Sequence, residues 1–381
     1  MKFLQLFAGA LGKSPRPTRV HALLRSLGQV TVCAAAAPAL EPPDEFLELA
    51  RRKTATGRIA RACGLLCHRY EADFWAPPRR ALYERLKGQE FSAIFCHDAL
   101  LVPLALAVRD AGAARGHRCP VLLDAREFYP REFEQSFVWN LLLGGINDYV
   151  CRTYFPRVDH IFTVSPGLAE GYRREYGLNC EVLPSYSPYQ NIEISEKMGR
   201  EPIRCIHHGG AVPARNLETM IEAFSLLEGK ATLDFMLVPS NARYYEWLMK
   251  MAAPFQNIAF LEPVPMTKIV SHISRYDMGV YLLDDGPFNH RHCLPNKFFE
   301  YVQARLAQVI SPLPDMSALV RRYELGVVAE DFTPRAFADA IGSLSREDIK
   351  SYKQNADRAA RELCWEKNAA RLREVILERV K

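Results

Sequence analysis

Twice along this 381-residue chain, short apolar runs alternate with segments of helical periodicity, and a polar stretch divides the two series. In the first series, residues 3–7, 30–35, 93–96, 121–123, 160–164 and 181–183 read as strands, with helical spacing over 20–27, 101–108, 137–154 and 168–176. The second series begins with Ile203-Arg204-Cys205-Ile206 and continues through strands at 233–238, 258–261, 278–283, 309–311 and 326–328. Such alternation predicts parallel strands joined by crossover helices. The stretch 186–202 is polar, holds Pro188, Gly199 and Pro202, and lacks steady periodicity. We therefore divide the chain into a domain over 1–188, a linker over 189–202, a domain over 203–362 and a closing helix over 363–381. In open parallel sheets ligands collect at the carboxyl ends of strands, so residues just after the strands carry the most weight.

The richest such place is Leu294-Pro295-Asn296-Lys297-Phe298-Phe299-Glu300-Tyr301. It follows a strand and a polar loop, and it opens a helix on which Phe298, Phe299, Val302 and Leu306 share a face. Pro295 is tolerated there because first-turn N–H groups lack intrahelical partners. Those amides and the helix dipole favour an anion. Lys297 adds a cation, and Glu300, three residues on, lies on the same face. Amides, cation and carboxylate together suit a phosphorylated sugar nucleotide, with the phosphates on Lys297 and the hydroxyls on Glu300. The plainer alternative is a capped core helix bearing a surface ion pair.

His207-His208-Gly209-Gly210 reads as the loop after the strand that begins at Ile203. Glycines there let a backbone approach a ligand closely, and Arg215 at the next helix start can fork onto phosphate oxygens. No Cys or carboxylate sits at ligand spacing with the paired histidines, so a metal is not expected. In the first domain, His97-Asp98 and Asp124-Ala125-Arg126-Glu127 follow two strands; they are either ligand-facing groups or helix caps. Arg16 and Arg19, on the turn after the first strand, either reach an acceptor or are solvated surface charges, and the second reading is preferred. Arg51, Arg52, Lys53, Arg58, Arg61, Arg69, Arg79, Arg80 and Arg85 crowd one region around Leu65, Leu66, Phe74 and Trp75. A solvated helix face over the core explains them, and a surface for an anionic membrane is the competing reading.

Composition narrows the class. About half the residues are apolar and a quarter charged, as in ordinary globular chains. No apolar run is long enough to span a bilayer, and Met1-Lys2-Phe3-Leu4-Gln5-Leu6-Phe7 reads as a first buried strand rather than a signal peptide. The ten cysteines are scattered and form no CxxC pair, which fits a reducing cytoplasm. A net charge of +5 is too mild to demand nucleic acid.

The run from Asp277 to Ala340 resembles the donor-binding half of the retaining GT-B glycosyltransferases of the group 1, or GT4-like, family. There the pattern is Pro-Asn-Lys-aromatic-Phe-Glu-Tyr, an Ala-Gly turn, a short apolar strand and a later Gly-Val. The resemblance implies an α/β fold of two Rossmann-like domains facing a cleft, with a C-terminal helix crossing back to the N-terminal domain. It implies transfer of a sugar with retention, with no bound metal and no cofactor beyond the nucleotide-sugar donor. Gly209, Gly210, Arg215, His292, Asn296, Lys297 and Glu300 would bind the donor. His97, Asp98 and Arg126 would bind a saccharide or lipid-linked acceptor, and Arg215, Lys297 and Glu127 would be the catalytic residues. Three departures stand out: Arg126 where relatives often have histidine, His292 where some have a first glutamate, and Arg305 in place of the glycine after Ala304. By family habit the product belongs to envelope or capsule polysaccharide, and the enzyme is cytoplasmic with peripheral membrane contact. Two other readings are an epimerase of the same architecture, recruiting Glu127 and His208, and a non-catalytic nucleotide-sugar binder.

Overall fold

The computed structural model describes residues 1–37, 42–49, 55–194 and 202–380. Two compact units result: Met1–Pro184 with Pro287–Asn289 and Ala369–Lys381, and Ser185–Gly286 with His290–Asn368. Arg51, Arg52, Lys53 and much of the 189–202 stretch lie outside the described residues.

The first unit is built on seven strands: β1 (Lys2–Leu6), β2 (Gln29–Ala34), β3 (Glu45–Glu48), β4 (Ala93–Cys96), β5 (Val121–Ala125), β6 (His160–Thr163) and β7 (Glu181–Val182). Their order is β3-β2-β1-β4-β5-β6-β7, and every pairing among the described residues is parallel. The strands read as near-continuous apolar runs because helices cover both faces of a parallel sheet. β3 escapes the sequence pattern. It is a four-residue edge strand in which only Leu47 is buried, and its two glutamates blunt an exposed edge. The predicted helix over 137–154 is interrupted: Asn140–Gly144 forms a π turn before the α-helix Gly145–Thr153.

The second unit has six strands: β8 (Ile203–Gly210), β9 (Ala231–Val238), β10 (Ile258–Leu261), β11 (Met278–Tyr281), β12 (Ala307–Ile310) and β13 (Gly326–Val328). Their order, β10-β9-β8-β11-β12-β13, is again parallel. His207-His208-Gly209-Gly210 is therefore not a loop after the strand but the second half of β8, paired residue for residue with β9. In each sheet the strand order reverses at one point, between β1 and β4 and between β8 and β11. Ligands bind doubly wound sheets outside the strand ends at that reversal.

The last helix, Trp365–Val380, starts in the second unit and ends in the first. Leu372, Val375 and Ile376 on it are buried, and Arg371 holds Glu181 beside β7.

Candidate functional site

In the second unit, the helix Asn296–Gln303 lies over the reversal point because Tyr301 fixes it there. The Tyr301 hydroxyl donates at 3.3 Å to the Ile206 and Val280 carbonyls, on β8 and β11. Its ring lies so close to β11 that a β-carbon on Gly279 would stand 2.3 Å away. Phe298, Phe299 and Val302 bury the rest of the apolar face, and each such aromatic contributes about 3–5 kcal/mol by the cost of its truncation. No side chain caps the helix start, which follows Pro295.

Anchored this way, Lys297 is 4% exposed. Its Nζ donates to His207 Nε2 at 3.0 Å and stands 4.8 Å over the Tyr281 ring. His207 Nδ1 donates to the Val280 carbonyl at 2.9 Å, which leaves Nε2 as an acceptor. Burial, with the Lys297 charge second, holds the His207 imidazole far below its ordinary pKa and so neutral. The Lys297 ammonium is pushed well below its usual value by burial first and Arg215 second, with Glu300 opposing. Gly209 matters here: its φ is +139°, and a β-carbon would meet Lys297 Nζ at 3.1 Å and an Arg215 nitrogen at 3.5 Å. Strand backbone, lysine and arginine therefore converge on one spot.

The neighbours are acceptors and neutral donors. His208 Nε2 lies 3.4 Å from Glu300 Oε2; burial, Lys297 and Arg215 push its pKa down to about 3. Among the described residues neither His208 Nε2 nor Asn296 Oδ1, both buried, has a hydrogen-bond partner. Asn216 takes the left-handed conformation that asparagine tolerates, and its amide donates to Asp284 at 2.8 Å, fixing the turn that carries Arg215. His292 is bound through Nδ1 to Asp315 at 2.7 Å. Buried donors and acceptors left unmade are costly, so this cluster of two cations, a carboxylate and two unmatched polar atoms is suited to an anion bearing hydroxyls.

The first unit has its own polar cluster at the β1/β4 reversal. Asp124, at the end of β5, accepts both Nε and Nη2 of Arg16, the ion pair closing to 2.7 Å. Arg16 also donates to the Leu183 and Pro184 carbonyls. It is 4% exposed, so the expectation of a surface charge is corrected. The signal for it was Asp124 itself: a carboxylate closing an apolar buried strand needs a cation. Burial alone would raise the Asp124 carboxyl, but Arg16 and His97 outweigh it and hold it far below the carboxylate range.

His97 is fully buried, not lining an open surface. Burial keeps its ring neutral against the pull of Asp124. Nδ1 donates to Asp124 at 3.0 Å, and Nε2 accepts from the Gln5 amide at 3.0 Å. His21 in turn donates to Gln5 at 2.9 Å. This ring therefore orients rather than touches. What remains accessible is Asp98, which accepts from the Ala8 amide at 2.6 Å and from Arg126 at 3.3 Å. Arg126 lies over the Phe7 ring, and its Nε is buried with no hydrogen-bond partner among the described residues. The neighbouring Glu127 offers its backbone carbonyl to the Tyr172 hydroxyl.

Arg305 occupies the left-handed region at φ +58°, which explains why a glycine suits that position. Its side chain is 1% exposed and reaches Asp357 at 2.7 Å, the Gln190 carbonyl at 2.9 Å and the Gln303 carbonyl. It is a brace of the second unit away from the Lys297 cluster.

No family model and no curated protein sequence matches the chain. Solved structures do. HepE (Alr3699) of Anabaena, in complex with UDP and glucose, is 12% identical, with 99% of this chain and 100% of that one covered at a TM-score of 0.72. An α,α-trehalose-phosphate synthase (UDP-forming) from Burkholderia xenovorans, in complex with glucose-6-phosphate, is 11% identical over 99% of each chain at 0.68. The lipopolysaccharide outer core galactosyltransferase WaaB is 11% identical over 99% of each chain at 0.66. At such identities the likeness shows the fold: two Rossmann-like units of GT-B architecture, as the resemblance implied.

Proposed function

We propose that this chain is a glycosyltransferase that moves a sugar from a nucleotide-activated donor to an acceptor hydroxyl with retention. The observation that carries the reading is the Lys297 cluster: a buried lysine and Arg215 converge on Gly209 at a strand-order reversal, beside Glu300 and the unmatched His208 and Asn296 atoms. Whole-chain likeness to proteins solved with UDP, glucose and glucose-6-phosphate supports it.

In the reaction the bond from anomeric carbon to diphosphate oxygen breaks and a glycosidic bond forms. The acceptor's hydroxyl proton leaves with the departing diphosphate. Negative charge grows on the leaving phosphate, and Lys297, already desolvated and oriented, stabilises it together with the half-buried Arg215, without a metal. Gly209 and Gly210 admit the phosphates, Glu300 takes ribose hydroxyls, and Asn296 and His292 complete the donor side. Asp98 and Arg126 contact the acceptor, Asp98 held by the Ala8 amide and Arg126 by the Phe7 ring. Glu127 shares that strand end. The product belongs to envelope polysaccharide or glycolipid, and the acceptor is a saccharide or lipid-linked saccharide met at a membrane surface.

A panel of nucleotide sugars screened by thermal shift identifies the donor, since a binder raises the melting temperature by mass action. With that donor, Lys297→Ala should lower turnover by on the order of a hundredfold or more with the circular dichroism unchanged. Glu300→Gln should act mainly on the apparent KM, because ribose contacts hold ground and transition states alike. Unchanged turnover in Lys297→Ala would reduce the stretch to a core helix.

A further inference from the structure

Several large apolar side chains of the first unit point to solvent on two adjoining elements. Phe137, Val138 and Leu141, at the start of the interrupted helix, are 79%, 63% and 53% exposed, and Phe133 just before them is also exposed. The helix Ala55–Leu66 packs against the π turn Asn140–Gly144. Its outward stripe is apolar too: Ile59 is 65% exposed, Leu66 is exposed, and Cys63 lies between them, with Cys67 just beyond the helix end. These positions recur three, four and seven residues apart, the spacing of one helix face. Tyr70 closes the join, its hydroxyl so near Gly145 that a β-carbon there would stand 2.3 Å away.

An amphipathic helix normally turns this face inward. Here the inward face is supplied by Leu65, with Arg61 held by Asp73 at 2.9 Å, and the outward face is left apolar. The anchors suggested by sequence are redistributed: Leu65 and Phe74 are core, Trp75 packs on the core, and Leu66 alone of the four is exposed. Exposed patches of this kind mark interaction surfaces. Their surroundings select the partner. Arg69 follows the apolar stripe and is exposed, as are Arg80 and Arg85 on the helix Pro77–Leu86. From residue 51 to residue 85 there are nine Lys and Arg against three Asp and Glu. Exposed apolar side chains with Arg69 directly after them, in a stretch this rich in arginine, match the boundary between acyl chains and anionic headgroups.

We propose that Phe137, Val138 and Leu141, with Ile59 and Leu66 of the neighbouring helix, form a docking face that inserts into the surface of an anionic bilayer, with Arg69 meeting lipid phosphates. It rests on the membrane-surface part of the proposed function and names the residues that would make the contact. Its test needs no turnover, so its failure leaves the transfer reading standing. The full chain is floated with phosphatidylcholine vesicles, with and without phosphatidylglycerol. Binding to the anionic vesicles is expected at low salt, with partial loss at high salt as the arginine term is screened. The Phe137→Asp, Leu141→Asp double variant should bind on the order of a hundredfold more weakly with unchanged circular dichroism, since both side chains are already exposed. Arg69→Glu should weaken binding at low salt only. Absence of wild-type binding to anionic vesicles would overturn the proposal, as would equal binding by the double variant. So would light scattering that showed a dimer broken by the same two substitutions, because the face would then cover a second copy of the chain.

Discussion

Lys297 owes its chemistry to where it is kept. A lysine on a solvated helix would be a mobile charge of ordinary pKa. This one is buried against His207 and Tyr281, and its ammonium is disfavoured by burial and by Arg215. An arriving diphosphate reverses that balance, because an anion beside a cation raises its pKa. Binding should therefore take up a proton, and affinity should fall as pH rises from the depressed value toward the ordinary one. Calorimetry with UDP in two buffers of different ionisation enthalpy reads the uptake directly, and Lys297→Ala should abolish it. Equal heats in both buffers would mean that Lys297 does not change its protonation when the diphosphate binds.

At the scale of elements, the helix Asn296–Gln303 is held toward its C-terminal end by two unusual means. Tyr301 seats it on β8 and β11, and Arg305 stops it in a left-handed turn. That backbone conformation costs a non-glycine residue on the order of 1–3 kcal/mol. Against it stand charge-assisted bonds from a buried guanidinium to Asp357 and two carbonyls, each contributing about 1.5–3 kcal/mol. Glycine would relieve the turn but leave the Gln190 and Gln303 carbonyls without this donor. Arg305→Gly should consequently lower stability by about 1–3 kcal/mol in chemical denaturation, and Arg305→Lys should recover only part, lacking the fork. A stabilised glycine variant would show that relief of backbone strain outweighs the bonds.

For the molecule as a whole, the chain end is a structural part of its beginning. Ala369–Lys381 belongs to the first unit, with Leu372, Val375 and Ile376 buried and Arg371 and Arg373 bonded to Glu181 and Ser26. Removing residues after Asn368 strips these apolar side chains from the first unit while leaving its sheet intact in sequence. Each buried aliphatic chain is worth about 1.5–3 kcal/mol, and whole domains are stable by only about 5–15 kcal/mol. The truncated chain should become insoluble or be cut rapidly by protease within 1–184, with the 203–362 region more resistant. Uniform resistance would show that the closing helix is dispensable.

Periodicity alone determined the two parallel sheets, because strands buried on both faces must be apolar and crossover helices must be amphipathic. It also located the Pro-Asn-Lys stretch at a helix start, where unpaired amides are unavoidable. It missed β3, whose charged edge looks like a loop, and it read β8 as ending before its histidines, because polar residues in a strand imitate a turn. Burial was the larger gap. In sequence Arg16 reads as a surface charge and His97 as a ligand-facing group, yet Asp124 draws both inside, and Gln5 completes the chain from another strand. Equally, residues 137–141 have the composition of a core helix, and only the packed neighbours show that this apolar end has nothing over it among the described residues. Pattern fixes which face of an element is apolar; which groups from distant strands meet, and which face is left uncovered, depends on contacts that no local spacing encodes.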